Sequence, residues 1–402
     1  LITKLDSPIR LDLRERLRRL LHHHNQFVNS DKLPDWLYDK GLLDRLARLY
    51  EALKPSDYVD ANAWLFDYWP ELPFDTGTDW GKEQSSLKAA QLVAANDLLT
   101  LGLPTILERL SSFKNPRVLG FTLALCEGGS ALAEQLFTAY GEDESSIVQD
   151  FIQGFSAASY QREGNKFLEK WVIGQDDTLS EAACATVLLG LPSGTLVWDT
   201  VEGRGPDCAV TYWKRTTGLP HGNPAEGERA ARSLFSVGRV LDAVRVLGTN
   251  ASMEWLAGEG DVELACQALG QAIAPINADP DRAQQVSYCA ATLLKNLSAC
   301  GKLDGEAMAQ LEWTYFGLLR YQAQHELVIY RRLAAEPSVL VDLLALLYVS
   351  DQVDKTALPE PSDAEKRVAN NAWHVSIVGI HLRRSPQMLW SRPKNCLRMP
   401  TN

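Results

Sequence analysis

Leucine recurs along this chain at the spacing of a helix face. Leu13, Leu17, Leu20 and Leu21 fall at i, i+4, i+7 and i+8, a pattern repeated by Leu311, Tyr315, Leu318 and Leu319. Leu46, Leu49, Tyr50 and Leu53 fall at i, i+3, i+4 and i+7, as do Leu340, Leu343, Leu344 and Leu347. Residues so spaced share one side of a helix, and that stripe must be buried against a neighbour. Composition points the same way, with 60 Leu and 43 Ala against 35 Val plus Ile in 402 residues. Unbranched side chains favour helix, and the β-branched residues that favour strands are scarce. Gly194 to Trp198 is the best strand candidate, and it reads equally well as the start of a helix after Pro192. With no βαβ alternation, the predicted fold is all-α.

Helix starts are legible. Ser7-Pro8, Asn115-Pro116, Asn223-Pro224 and Asp279-Pro280 each place a capping oxygen before a proline suited to the first helical position. Thr178 with Glu181, and Ser362 with Glu365, have capping-box spacing. About fifteen to eighteen helices are expected, joined by short connections at Gly102, Gly128-Gly129, Gly141, Gly174, Gly190, Gly238 and Gly301. Ala230 to Leu247 reads as two helices around a turn at Gly238-Arg239. Such hairpins stack because neither helix buries its stripe alone. No fixed-period consensus appears, so the expected architecture is a degenerate, HEAT-like α-solenoid of stacked helical hairpins.

The expected organisation is a helical array over 1–217, a Gly- and Pro-rich linker over 218–229, a second array over 230–380, and a tail over 381–402. The tail has five basic residues and no acidic ones, lacks apolar periodicity, and is expected to be disordered. Further flexible joints are expected at Leu72 to Gly81 and Tyr348 to Ser362. The chain begins at Leu1 rather than Met, so a piece of a longer product is expected.

Chemistry is harder to find. A net charge of −11 and a pI near 5.2 argue against a dedicated nucleic-acid binder. The seven cysteines lie far apart without a CxxC, and most sit among Ala and Leu. They read as small buried hydrophobes in a reducing cytoplasm, and the sequons at Asn250 and Asn296 as chance matches. No apolar run approaches the roughly 18 residues of a membrane span. His22, His23 and His24 are adjacent on a helix, so they point in different directions and make a poor metal site. As cations at a helix C-terminus they suit the macrodipole.

Gly77 to Lys82 falls short of a phosphate loop, and Gly203-Arg204-Gly205 fails as a dinucleotide fingerprint. HExxH and GxSxG are absent, and the acidic clusters Glu142-Asp143-Glu144 and Asp176-Asp177 precede helices, where they favour the dipole. No catalytic, cofactor-binding or metal residue is therefore assigned, and no cofactor is expected. Among the eleven tryptophans, Trp64, Trp198, Trp213, Trp255, Trp313 and Trp373 read chiefly as wedges between helices. Trp69, beside Pro70 at a helix end, is the least core-like and is the candidate partner-binding residue.

Four stretches, Ala63 to Pro73 (AWLFDYWPELP), Leu191 to Arg215, Ala230 to Leu247 and Leu311 to Leu319 (LEWTYFGLL), resemble a helical region of large bacterial multidomain proteins of the STAND-like, defence-ATPase type. The resemblance spans Asp6 to Val378 and ends before Ile380. It implies an ATPase or effector module upstream in cis, and it carries over no active-site residue. The leading expectation is a non-enzymatic scaffold or sensor that binds a protein partner. The alternatives are a HEAT-like nucleic-acid-binding array, supported locally by the Arg10 to Arg19 helix, and an enzyme with a site assembled across helices.

Overall fold

Leucine- and alanine-rich segments, broken every ten to twenty residues by Gly, Pro or Asx, become short helices in the computed structural model. It describes residues 7–27, 34–74, 80–174, 179–278, 280–315, 319, 327–336, 338 and 341. Among these there are nineteen α-helices and no strand. The contacts divide the chain into two compact units, residues 1–218 and 219–402.

The first unit contains α1 (Ser7–Asn25), α2 (Lys40–Ala52), α3 (Tyr58–Asn62), α4 (Trp80–Leu99), α5 (Leu103–Glu108) and α6 (Pro116–Leu125). It continues with α7 (Leu132–Tyr140), α8 (Ser146–Glu163), α9 (Asn165–Leu168), a π turn at Glu169–Ile173, α10 (Glu181–Leu188), α11 (Thr195–Arg204) and α12 (Pro206–Arg215). The second unit contains α13 (Pro224–Ser236), α14 (Val240–Asn250), α15 (Met253–Ala257), α16 (Val262–Ala278), α17 (Pro280–Cys300), α18 (Gly305–Thr314) and α19 (Val328–Ala335).

Two of the expected starts follow the expected capping chemistry, while Ser7 is itself the first described residue of α1. Asn115 accepts from Val118 N at 3.3 Å, and Asn223 accepts from Ala225 N at 3.1 Å. The Gly194 to Trp198 stretch is the start of α11, and Ala230 to Leu247 is a hairpin turning at Gly238, whose φ is +80°. The expected linker over 218–229 is shorter, because Asn223 and Pro224 initiate α13 and Gly227 lies inside that helix against Asn250. The capping box at Thr178 and Glu181 is also corrected. Ser180 caps α10 by accepting from Ala183 N, so Glu181 occupies the first helical position, too early to reach back to the cap. Thr178, the Asp279 cap, the Ser362 box, the 348–362 joint, the 340–347 stripe and the 381–402 tail lie outside the described residues.

Glu181 instead turns to another helix. Its carboxylate accepts from Asp207 N at 2.9 Å and Cys208 N at 3.0 Å, satisfying the first amides of α12. The second unit repeats the device. Glu228 accepts from Asp261 N at 2.9 Å, just before α16, and Glu312 accepts from Val328 N at 3.0 Å and Ile329 N at 2.8 Å at the start of α19. Glu312 is buried, and that burial pushes its carboxyl above the usual range.

Packing in the first unit runs through alternate helices: α4 on α6, α6 on α8, α8 on α10, and α10 on α12. The most extensive contact is α6 on α8, and its reason is two glycines. A Cβ built at Gly120 would overlap the Phe151 carbonyl oxygen, and one at Gly154 would overlap that of Arg117. Each helix lies backbone to backbone on the other, which no larger residue permits. In the second unit α13 packs on α14, α14 on both α16 and α17, and Gly248 meets the Cys289 backbone in the same way.

Cys126, Cys184, Cys208 and Cys289 are buried and Cys266 and Cys300 half-buried, all as free thiols. Burial pushes the Cys208 thiol up to about 12.

Gly154→Ala is expected to destabilise the protein by about 1–3 kcal/mol, because a methyl must force α6 and α8 apart. Gly203→Ala, on an exposed stretch of α11 with open space around it, is expected to be neutral or to stabilise by about 0.5–1 kcal/mol. Urea denaturation of both variants checks this, and equal effects would remove the close-approach explanation.

Candidate functional site

Beside its leucine stripe, α1 carries a second stripe of hydrogen-bond donors: Arg10, Arg14, Arg18, His22 and Asn25. Their spacing keeps them on one face for four turns. Each donates to a backbone carbonyl of the segment that follows. Arg10 Nε reaches Leu53 O at 3.2 Å and its Nη2 reaches Lys54 O at 3.0 Å, serving carbonyls that the end of α2 leaves open. Arg14 Nη1 reaches Ala61 O at 3.1 Å. Arg18 donates to Glu71 O, His22 Nδ1 to Leu72 O at 2.8 Å, and Asn25 Nδ2 to Pro73 O at 2.7 Å. Three successive carbonyls of one irregular segment are thus held by one helix.

Arginine suits this task because its planar head can donate at the edge while its face lies on an aromatic ring. Arg14 lies over Tyr50 at 4.4 Å and Arg18 over Trp64 at 4.8 Å. Both arginines are buried, and the Leu17, Leu21, Leu43, Tyr50 and Leu53 core beside them excludes water. Glu15 completes the arrangement, bonding Arg18 Nε at 2.8 Å and Arg19 Nε at 2.7 Å. Burial opposes its charge, but the two guanidiniums more than offset this and hold its carboxyl below the usual range.

What the ladder positions is a stretch of exposed aromatics. The 3₁₀ turn Ala63–Phe66 buries Leu65 and Phe66, after which Tyr68 and Trp69 face solvent. Trp69 is 82% exposed, so the residue singled out from sequence is on the surface. Downstream, Leu72 returns to the core and Phe74 meets Tyr50 with ring centroids 6.1 Å apart. Lys114 pairs with Asp67 at 2.6 Å on the other side of Tyr68. The backbone is anchored before and after two outward rings.

The other tryptophans divide. Trp198 and Trp213 are buried with centroids 5.6 Å apart, as wedges should be. Trp64, Trp255 and Trp313 are half-buried, and Trp373 lies outside the described residues. Trp36 and Trp80 are exposed, and sequence reading did not single them out. The donor stripe was missed too, although four-residue spacing of Arg10, Arg14 and Arg18 beside a leucine stripe is visible in the sequence.

The arginines of α1 also bear on nucleic-acid binding. Arg10, Arg14 and Arg18 are spent on carbonyls, Arg16 pairs with Asp12 at 2.9 Å, and Arg19 pairs with Glu15. Every arginine of the helix has an internal partner. Among the described residues no group of three or more His, Cys, Asp or Glu could hold a metal ion, and no helix is long and apolar enough to cross a membrane. No protein-family model, curated protein or solved structure matches this chain.

Arg18→Met keeps the apolar stem but leaves the Glu71 carbonyl without its donor. It is expected to destabilise the protein by about 1–3 kcal/mol and to speed chymotryptic cleavage at Tyr68 and Trp69. Arg16→Ala, which loses only a surface ion pair, is expected to stay within about 1 kcal/mol of the parent with unchanged cleavage. Mass spectrometry of timed digests distinguishes the two.

Proposed function

We propose that this chain is a non-enzymatic helical scaffold that binds a protein partner through the segment bearing Tyr68 and Trp69. One observation carries the reading: an indole 82% exposed on a backbone that α1 grips at the three carbonyls of residues 71–73. Binding affinity is concentrated in a few aromatic and arginine anchors. An anchor whose backbone is already ordered loses less entropy on association. The donors that α1 spends here hold no core helix together; they order a surface loop.

The solenoid reading belongs to the same proposal. Contacts between alternate helices, α4 through α12 in the first unit and α14, α16 and α18 in the second, support HEAT-like stacking of degenerate hairpins within each unit. The resemblance to STAND-like proteins adds a nucleotide-driven or effector module in cis and a bacterial cytoplasmic setting. The nucleic-acid alternative loses its local support, because the basic helix that suggested it has its arginines bonded within the fold.

Peptides selected from a displayed library against the full chain supply the test. Trp69→Ala is expected to weaken the selected peptides by about thirtyfold, the equivalent of a 2 kcal/mol anchor. The melting temperature should not change, since the side chain supports no core contact. Undiminished binding by this variant, or ATP hydrolysis by the chain alone, would overturn the reading.

A further inference from the structure

The last turn of α1 puts three consecutive histidines in three different surroundings. His22 donates from Nδ1 to Leu72 O and faces the Gln26 amide with Nε2 at 2.7 Å. His23 is exposed and stacked on Trp36, centroids 4.8 Å apart and planes at 17°. His24 differs from both. It is buried, stacked on Tyr38 at 4.3 Å and 15°, and its Nδ1 accepts the Tyr38 backbone N–H at 3.4 Å. That contact exists only while Nδ1 carries a lone pair.

We propose that the seat of Tyr38 on His24 is a proton-operated joint, whose protonation releases the Pro34 to Asp39 segment from the end of α1 and uncovers Trp36 and Tyr38. A proton from solvent bonds to Nδ1, the Tyr38 N–H loses its acceptor, and two N–H groups then face each other. Trp36 and Tyr38 are 47% and 41% exposed, and their rings meet rings of the helix: His23, His24 and Phe27 around Trp36, and His24 against Tyr38. The one hydrogen bond within the segment, Leu37 N to Pro34 O, does not tie it to α1.

The charges around His24 reinforce the direction. From its own helix it faces His23, and from the segment it faces the Tyr38 phenol. Asp35 and Lys40 are exposed, and Asp39 is occupied as the cap of α2, accepting from Leu42 N at 3.0 Å. Among the described residues no carboxylate is bonded to the ring to stabilise an imidazolium. Burial, and then the His23 charge, hold His24 below the ordinary histidine value. His24 therefore takes up a proton more readily once the segment has been released. The joint is intact above about pH 6.5 and weakens as pH falls from there to the folded-state value, below which the loss is complete.

Amide hydrogen exchange on the full chain tests this, with intrinsic rates corrected for pH. Protection of Tyr38 N–H is expected to fall by about tenfold between pH 7.5 and pH 5, while α2 amides remain protected. The midpoint should match the titration of the His24 Cε1–H resonance followed by NMR. His24→Phe, which can stack but cannot accept, should leave Tyr38 equally unprotected at both pH values. Unchanged Tyr38 protection in the parent overturns the proposal. So does a pH response that persists in His24→Phe, or a midpoint that follows His22 or His23 instead.

Discussion

A chain cut into many short helices must satisfy many helix ends, since each helix leaves four amides and four carbonyls without partners along its own axis. In this protein the side chains of neighbouring helices meet much of that demand. Arg10, Arg14, Arg18, His22 and Asn25 of α1 donate to carbonyls at the end of α2, in α3 and in residues 71–73. Glu181, Glu228 and Glu312 accept from amides at the starts of α12, α16 and α19. A buried amide left without an acceptor costs about 1–3 kcal/mol, so these long-range caps decide which helix can follow which. Charge follows the macrodipole, with cations at carbonyl ends and carboxylates at amide ends.

Close approach is the second constraint. Gly120 and Gly154 bring α6 and α8 into backbone contact, and Gly248 does the same for α14 on α17. Large apolar residues fill the flanks of these crossings, as Phe151 and Phe155 do on α8. The helices most densely packed are therefore those that gave up a side chain at the contact, where a glycine in isolation would disfavour helix.

Surface chemistry is built on this frame. The leucine stripe of α1 packs on α2, the donor stripe beside it holds the segment bearing Tyr68 and Trp69, and its last turn seats Trp36 and Tyr38. Exposed aromatics are thus tied to ordered backbone by groups of different kinds. Guanidinium, imidazole and amide N–H donors hold the first segment, whereas the second depends on an imidazole lone pair.

Local residues were enough to read the helical class, the caps at Asn115 and Asn223, the turn at Gly238 and the unsuitability of Trp69 for a core. Each depends on periodicity, capping or backbone conformation within a few residues, interactions that act along the chain. The partner of Glu181, the carbonyls that Arg18 and His22 serve, and the crossing at Gly154 were not legible, because each joins residues more than twenty-five apart. Gly190 is in the turn after α10, as read, and also packs against the Gln153 backbone, whereas Gly227, read as linker, lies inside α13 against Asn250. A glycine at a turn and a glycine at a crossing are the same letter. A basic stripe that binds solvent ions and one that binds buried carbonyls are likewise the same sequence. Periodicity and capping let the sequence by itself determine that the chain is helical and where several helices begin; only the tertiary structure decided which carbonyl lay within about 3 Å of each donor, and so which charged residues became structure and which aromatics were left to face solvent.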